Sequence, residues 1–163
     1  MRYQELGTKY KYADLIELIG KESDNTASHV VSNLIGENEI QKSLNDLGLE
    51  KTSVKENTTT AKEMGDYLNN LYENELVPGK YKEKIFRVLT DTDFEDRIPH
   101  GVPSHIQTAH KTGNEVQIYN DCGIILSSNP YVLCILSKHV VEEEALGVIP
   151  KISRVIWEYN KSL

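Results

Sequence analysis

The sequence is poor in positive charge and in long apolar runs. Its 163 residues carry 18 lysines and arginines against 25 aspartates and glutamates, which gives a net charge of -7. Nucleic-acid binding needs clustered basic side chains on the phosphates, so this balance argues against a nucleic-acid partner. No apolar stretch approaches the roughly 20 residues that cross a bilayer, so we expect no membrane span in this chain.

Signatures of metal and disulfide chemistry are also missing. The five histidines form no His-x-x-x-His pair and no cluster with cysteine, so the sequence predicts neither a metal nor a cofactor. Cys122 and Cys134 fall in strand-like runs and are interpreted as buried free thiols, with a disulfide as the alternative. No basic-then-apolar leader follows Met1, so we expect any export signal to lie outside this sequence.

Helical patterns occupy most of the first 90 residues, because apolar side chains recur there at helical spacing. Thr60 followed by Glu63 predicts a capping box. Residues 49–58 are predicted to be a polar loop and residues 90–103 a linker. The predicted helices cover residues 12–21, a stretch from Ala27 that stops at Gly36, residues 37–47, a stretch from Thr60 that ends by Pro78-Gly79, and residues 80–89.

After His105 the apolar pattern becomes that of strands. Gly113-Asn114 and Ser128-Asn129-Pro130 are predicted turns, which gives an antiparallel meander. The predicted strands are residues 105–111, 116–126 and 131–138. A last helix over about 142–160 is predicted to have acidic residues in its first turn and an early turn or kink at Pro150. The positions predicted to lie across a sheet face are Val148, Ile152, Val155, Ile156 and Tyr159.

This order of helices, three strands and one helix predicts an α+β fold. The length suits a single domain over residues 1–163. Within it we expect a helical lobe over residues 10–103, followed by a three-stranded sheet and C-terminal helix over residues 104–163.

Two polar triplets stand where chemistry is expected. Lys111-Thr112-Gly113 places a cation and a hydroxyl at a predicted strand end, where they can hold a carboxylate, and the glycine lets a ligand approach closely. In Ser23-Asp24-Asn25, the serine can pass a proton and Asn25 can bind an amide. The alternatives are a solvated strand end and an ordinary turn capped by Asp24 or Asn25. His110 is interpreted as a strand-end histidine, or as part of a cleft.

In this order the two triplets resemble two of the three signature motifs of the class A β-lactamase and penicillin-binding serine hydrolase family. The resemblance continues through "YKYADLIELIGKESDNTASHVVSNLIG", "NTTTAKEMGDYLNNLY", "IPHGVPSHIQTAHKTG", "NDCGIIL" and "PYVLCILS". It covers about residues 12–159. It implies a β-lactamase-like fold and, as the usual location of such proteins, the bacterial cell envelope or exterior.

The resemblance also implies roles for individual residues. The reaction would be acyl transfer from a β-lactam or a peptidoglycan-type peptide to an active-site serine. Ser23 and Lys111 would be catalytic and pass protons to the leaving nitrogen. Asn25 would bind the substrate's side-chain amide, and Thr112 would hold its carboxylate with Lys111. Asn114, which follows Gly113, would supply an N–H to the oxyanion hole.

Three departures from the family limit what this chain is expected to do alone. Ser-x-x-Lys, the motif with the nucleophile, does not occur, and Thr52-Ser53-Val54-Lys55 lies on the wrong side of Ser-Asp-Asn. The interval "LEKTSVKEN" is too short for the loop whose Glu activates the deacylating water. Cys122 stands where many β-lactamases have an arginine that helps hold the carboxylate. We therefore expect an N-terminally truncated chain that is inactive alone.

Strand 131–138 is apolar on both faces, a pattern typical of a central strand. A three-stranded meander leaves it on an edge, with unpaired backbone groups. We therefore expect it to pair with a missing N-terminal segment, whether in the same or a separate chain, or with a second copy. The alternative function is a non-catalytic binding or assembly module that keeps the scaffold.

Overall fold

A computed structural model describes residue 5, residues 7–73 and residues 76–163. The stretch after Met1, in which no leader was recognised, lies outside the described residues. The chain folds as α+β, as predicted. Its helices are α1 (Tyr12–Lys21), α2 (Asn25–Ile35), α3 (Glu37–Asp46), α4 (Ala61–Tyr72), α5 (Gly79–Leu89) and α6 (Glu142–Asn160), with a 3₁₀ turn at Pro99–Gly101. Its strands are β1 (Thr108–Glu115), β2 (Ile118–Ile125) and β3 (Tyr131–Ile135).

The helix boundaries follow from capping groups that the sequence shows. Asp24 caps α2, because its carboxylate accepts a hydrogen bond from the Ala27 N–H at 2.7 Å. Gly36 separates α2 from α3 with a φ of 92°, a backbone conformation that favours glycine. Pro78 directly precedes the first residue of α5, so Pro78-Gly79 begins that helix, while α4 has already ended at Tyr72.

Only half of the predicted capping box at α4 forms. The Thr60 hydroxyl accepts from the Glu63 N–H at 3.1 Å. The Glu63 carboxylate, however, accepts from the Lys51 N–H at 2.7 Å and from the Thr52 hydroxyl at 2.6 Å. Glu63 therefore fastens the preceding loop to the start of α4 and does not close the box.

The sheet is antiparallel in the order β1-β2-β3, as the meander prediction requires. The predicted turn at Gly113-Asn114 is wrong, because both residues lie within β1 and pair with Asn120 and Tyr119. The chain reverses two residues later, where Gln117 adopts a φ of 58°. Lys111 consequently lies inside a strand and not at its end.

The sheet has an apolar layer on each face. On one face, Ile98, Val102 and Ile125 pack with Ala145 and Ile149 of α6. On the other face, Cys122 and Ile124 of β2 pack with Leu68 of α4. Cys134 and Val132 of β3 border this second layer.

The predicted inward face of α6 is wrong. All five positions are exposed, and Val155 is 67% exposed. The buried side is offset by one residue and consists of Ala145, Ile149, Pro150 and Ser153. The helix approaches the 3₁₀ turn so closely that a Cβ on Gly101 would overlap Ser153, and the Ser153 hydroxyl donates to the Ile98 carbonyl at 2.8 Å. The small Ser153 faces the 3₁₀ turn at this close approach, and the larger apolar stripe of α6 faces outward.

β3 lies on an edge of the sheet, and its five residues are all half-buried. The strand is apolar on both faces, yet in the described part of the chain a strand pairs with it on one side only, as the sequence predicted. Among the described residues, no helix has both the length and the apolar character needed to cross a membrane.

Candidate active site

Ser23 and Lys111 meet although 88 residues separate them in sequence. Ser23 lies in the turn between α1 and α2, and Lys111 lies in β1. The Lys111 Nζ donates a hydrogen bond to the Ser23 Oγ at 2.6 Å. The fold therefore brings the first residue of each predicted triplet into direct contact.

Ser23 adopts a strained backbone conformation. Its φ is 52°, in the left-handed region that glycine favours. Ser23 lies between Glu22, the C-cap of α1, and Asp24, which caps α2 with its side chain. A serine in this position holds its hydroxyl toward β1, at a conformational cost that glycine would avoid.

Lys111 is half-buried, and its environment lowers the pKa of its ammonium. Burial is the main cause, the positive charge of Arg97 adds to it, and Asp121 opposes it. The Nζ also donates to the carbonyl oxygen of Thr112 at 3.2 Å. Lys111 is therefore a cation that releases its proton more easily than a solvated lysine does.

The other predicted site residues surround this contact to different degrees. Asn25 is exposed at the first position of α2, and Gly113 and Asn114 are exposed in β1. Thr112 is 8% exposed, and strand alternation places its side chain on the sheet face opposite that of Lys111. The structure thus brings Ser23 and Lys111 together, and the substrate-binding roles of the other four residues stay predictions.

His110 is the main residue whose surroundings the sequence did not reveal. It is 1% exposed, and its Nδ1 lies 2.8 Å from the Asp121 Oδ1. Its Nε2 lies 3.2 Å from the Glu95 Oε1 and 3.1 Å from the Thr92 hydroxyl. His110 is therefore a buried bridge between β1, β2 and the 92–95 turn, and not a solvated strand-end residue.

The two carboxylates keep His110 charged. Burial opposes a charge on the ring, but the hydrogen bonds to Asp121 and Glu95 outweigh it and raise the pKa of His110 to about 9. An imidazolium donates from both nitrogens, which matches an acceptor on each side. This ion-paired group lies directly before Lys111 in β1 and fixes the strand from the opposite face.

Asp121 and Gly123 complete the support under Lys111. The second carboxylate oxygen of Asp121 accepts from the Ile98 N–H at 3.0 Å. Gly123 pairs with His110, and a Cβ at Gly123 would lie 2.5 Å from the His110 Cβ. The sequence contained one indication of this buried carboxylate, because Asp121 is an acidic residue directly before the apolar half of a predicted strand. Nothing in the sequence indicated that Glu95 would contact His110 or that Ile98 would contact Asp121.

Arg97 is a second buried cation beside this network. It is 2% exposed, its Nη1 donates to the Asn120 carbonyl at 2.7 Å, and its Nε lies 3.6 Å from Asp96. Within the ranges that the structure describes, no group of three or more His, Cys, Asp or Glu is arranged to hold a metal ion.

A family model described as "Beta-lactamase enzyme family" matches residues 1–160 of the chain. No curated protein matches it significantly in sequence. Among solved structures, PBP-A superposes with a TM-score of 0.91 at 20% identity, over 99% of this chain and 66% of that one. A β-lactamase from Sphaerobacter thermophilus superposes with a TM-score of 0.91 at 19% identity, over 99% of this chain and 67% of that one.

A mutant of PBP-A, solved as an acyl-enzyme complex with penicillin G, matches with a TM-score of 0.90 at 20% identity, over 99% of this chain and 66% of that one. At such identities these likenesses show a shared fold. The chain spans about two thirds of the length of these structures.

Proposed function

The chain belongs to the beta-lactamase enzyme family, and on that premise we propose that it carries the substrate-holding part of a site for acyl-serine chemistry. The observation that carries the proposal is the 2.6 Å contact between Lys111 and Ser23. The proposed substrates are β-lactams or D-Ala-D-Ala-type peptides, which present a scissile amide and a carboxylate. The penicillin acyl-enzyme of the PBP-A mutant supports this choice in a protein of the same fold.

The Lys111–Ser23 pair suits proton delivery to a leaving nitrogen. When the amide bond breaks, that nitrogen needs a proton, and a hydroxyl can donate its own while it accepts another. Ser23 would give its proton to the nitrogen and take one from Lys111. Burial lowers the pKa of Lys111, which favours this transfer.

The remaining residues would bind and polarise the substrate. The Lys111 charge would hold the carboxylate, and Asn25 would bind the side-chain amide. Because the Thr112 side chain lies on the opposite sheet face, the part of Thr112 would be to position Lys111 through its carbonyl oxygen. The Asn114 N–H, next to Gly113, would supply one half of an oxyanion hole. The other half would come from the N–H of the nucleophile itself.

The nucleophile would come from a segment that carries Ser-x-x-Lys, since the 163 residues contain no such motif. Thr52, which lies three residues before Lys55, is the nearest candidate, but its hydroxyl is engaged in the loop and donates to the Glu63 carboxylate at 2.6 Å. The same loop, 49–58, leaves no room for a water-activating Glu in the setting that the family uses. An acyl-enzyme formed here is therefore expected to persist.

Three uncovered apolar surfaces support the proposal that a further segment binds this chain. The first is the open edge of β3, and the second is the exposed stripe of α6. The third is a groove of about 350 Å³ between α1 and α2, lined by Tyr12, Ile16, Val31, Leu34 and Ile35. Exposed apolar surface on this scale marks an interaction site. We propose that the Ser-x-x-Lys segment covers these surfaces and adds a strand to β3.

A fluorescent penicillin tests the proposal. The chain is labelled alone and after co-expression with a Ser-x-x-Lys segment, taken from flanking sequence of the natural protein or from PBP-A. We expect no label on the chain alone and a persistent label on the complex. The label should disappear when the motif's serine becomes alanine, and should fall sharply in Lys111→Ala.

Each alternative has its own outcome in this experiment. Labelling of the chain alone would contradict the proposed origin of the nucleophile. A complex that assembles but never labels would favour the second candidate, a non-catalytic binding or assembly module, which the missing Ser-x-x-Lys motif supports. A chain that prefers a second copy of itself over the segment would contradict the proposed partner.

A further inference from the structure

The two cysteines of the chain face each other across neighbouring strands. Cys122 of β2 and Cys134 of β3 are register partners, and both are free thiols. Directly opposed residues in an antiparallel pair point to the same face. Both thiols border the apolar layer under α4, where Cys122 is buried and Cys134 is half-buried.

This arrangement meets the geometric needs of a disulfide. Directly opposed residues have Cα atoms about 4.5–5.5 Å apart, and disulfides span about 4.4–6.8 Å. The Cys122 and Cys134 side chains interact directly, and this interaction, followed by burial, raises the pKa of Cys122, so the Cys122 thiol resists ionisation. The two sulfurs therefore approach without a change of strand register.

Lys111 extends this pair into a row across the sheet. It is the register partner of Cys122 on the β1 side, so Lys111, Cys122 and Cys134 share one face. The pair also joins β2 to the open edge strand β3. A bond between the two sulfurs would fix β3 in its present register beside the candidate site.

We propose that Cys122 and Cys134 form a dithiol site that reacts with disulfide oxidants and closes to a cross-strand disulfide. Cys134 on the half-exposed edge strand reacts first. Its thiolate attacks an external disulfide, forms a mixed disulfide and releases one thiolate. Cys122 then loses its proton and attacks the Cys134 sulfur, which releases the second external thiol. The two cysteines are oxidised, and one external disulfide is reduced to two thiols.

Glutathione buffers of graded disulfide content test the proposal on the native chain. We expect both thiols to disappear together, and the intact mass to fall by two hydrogen atoms without bound glutathione. The native chain should close at a glutathione disulfide fraction about tenfold lower than the chain unfolded in guanidinium, since the fold holds the sulfurs together. Peptide mapping should recover Cys122 linked to Cys134.

Cys122→Ser and Cys134→Ser serve as matched controls. Each should stop at a single thiol or a glutathione adduct. A trivalent arsenical, which binds paired thiols, needs no variant and should bind the reduced native chain one to one. Persistent free thiols, glutathione adducts on the unmutated chain, disulfides between chains, or failure of the arsenical to bind would each overturn the proposal. None of these readouts depends on penicillin labelling.

Discussion

Ser23 places a hydroxyl against Lys111 from a backbone conformation that costs a non-glycine residue about 1–2 kcal/mol. Ser23→Gly and Ser23→Ala both remove the hydroxyl, but only glycine removes the strain. We expect Ser23→Gly to be more stable than Ser23→Ala by about 1 kcal/mol, measured by urea unfolding. Both variants should lose penicillin labelling in the complex to a similar extent.

Because both variants remove the Ser23 hydroxyl that accepts from Lys111, the difference in their stability reports the backbone alone. Equal stabilities would show that the left-handed conformation at Ser23 carries no cost. Retained labelling in both variants would show that the hydroxyl takes no part in proton transfer.

His110 makes the stability of the chain dependent on pH on the alkaline side. Its pKa is about 9 in the fold against an ordinary value of 6.5. A raised pKa stabilises the fold fully below about 6.5, and this stabilisation is lost as the pH rises through about 9. We expect a loss of up to about 3 kcal/mol over this window, measured by urea unfolding at a series of pH values.

Two histidine variants define the origin of that loss. His110→Gln should be less stable than the unmutated chain near neutrality, and its free energy of unfolding should not change over the same pH window. His105→Gln, which replaces an exposed histidine, should keep the unmutated profile. An unmutated chain that is equally stable from pH about 6 to about 10 would contradict a charged, ion-paired His110.

Among the elements, α1 is held against α5 at a glycine. A Cβ on Gly20 would lie 2.8 Å from the Val88 Cβ, whereas one on Gly65 in α4 would meet nothing within 4 Å. Gly20→Ala should therefore destabilise the chain by about 1–3 kcal/mol through overpacking. Gly65→Ala should stabilise it by up to about 1 kcal/mol through helix propensity.

Thermal or urea unfolding of the two glycine variants shows whether Gly20→Ala lowers stability and Gly65→Ala raises it. The substitutions are chemically identical and both lie in helices, so a difference between them isolates the contact with Val88. Two variants of equal stability would show that α1 and α5 can separate without cost.

Sequence patterns predicted the elements that depend on local chemistry. Caps and glycines fixed the starts and ends of α2 and α3, and Asp24 is the N-cap that the alternative reading of Ser-Asp-Asn required. The β1 turn was misplaced because Gly113 and Gln117 can both take turn conformations, and only pairing with β2 decides between them. The α6 face was misplaced because hydrophobicity marks the larger stripe, while the close approach to Gly101 places the small, polar Ser153 on the buried side.

The candidate site also contains residues that the sequence predicted and residues that only the packing reveals. The motifs indicated Ser23 and Lys111, and the structure brings them into contact. The ionic support of His110 was not predictable, because Glu95 and Asp121 converge on it from separate elements. Burial of an ion pair depends on three-dimensional packing, which no spacing rule in the sequence encodes.

At the scale of the whole molecule, the uncovered surfaces predict association. The β3 strand lies on an edge of the sheet and the α6 stripe is apolar and exposed, so we expect the chain to dimerise, swap strands or aggregate as its concentration rises. Val155→Lys in the stripe should reduce this association, measured by light scattering. Asn38→Lys adds the same charge at an exposed polar position in α3 and should have little effect.

A monodisperse monomer at high concentration would contradict this expectation. Equal reduction by both lysine variants would show that net charge, and not the α6 stripe, controls association. Co-expression with the proposed Ser-x-x-Lys segment should suppress association of the unmutated chain, because the same surfaces would be covered.

Ile98 lies in a turn, outside every regular helix and strand, yet both of its backbone groups are engaged in the interior. Its N–H donates to Asp121, and its carbonyl accepts from Ser153 of α6. We therefore expect the Ile98 amide hydrogen to exchange with solvent as slowly as those of the sheet, and more slowly than those of loops. Its exchange rate would report, from one proton, whether α6, β2 and the His110 ion pair are intact together.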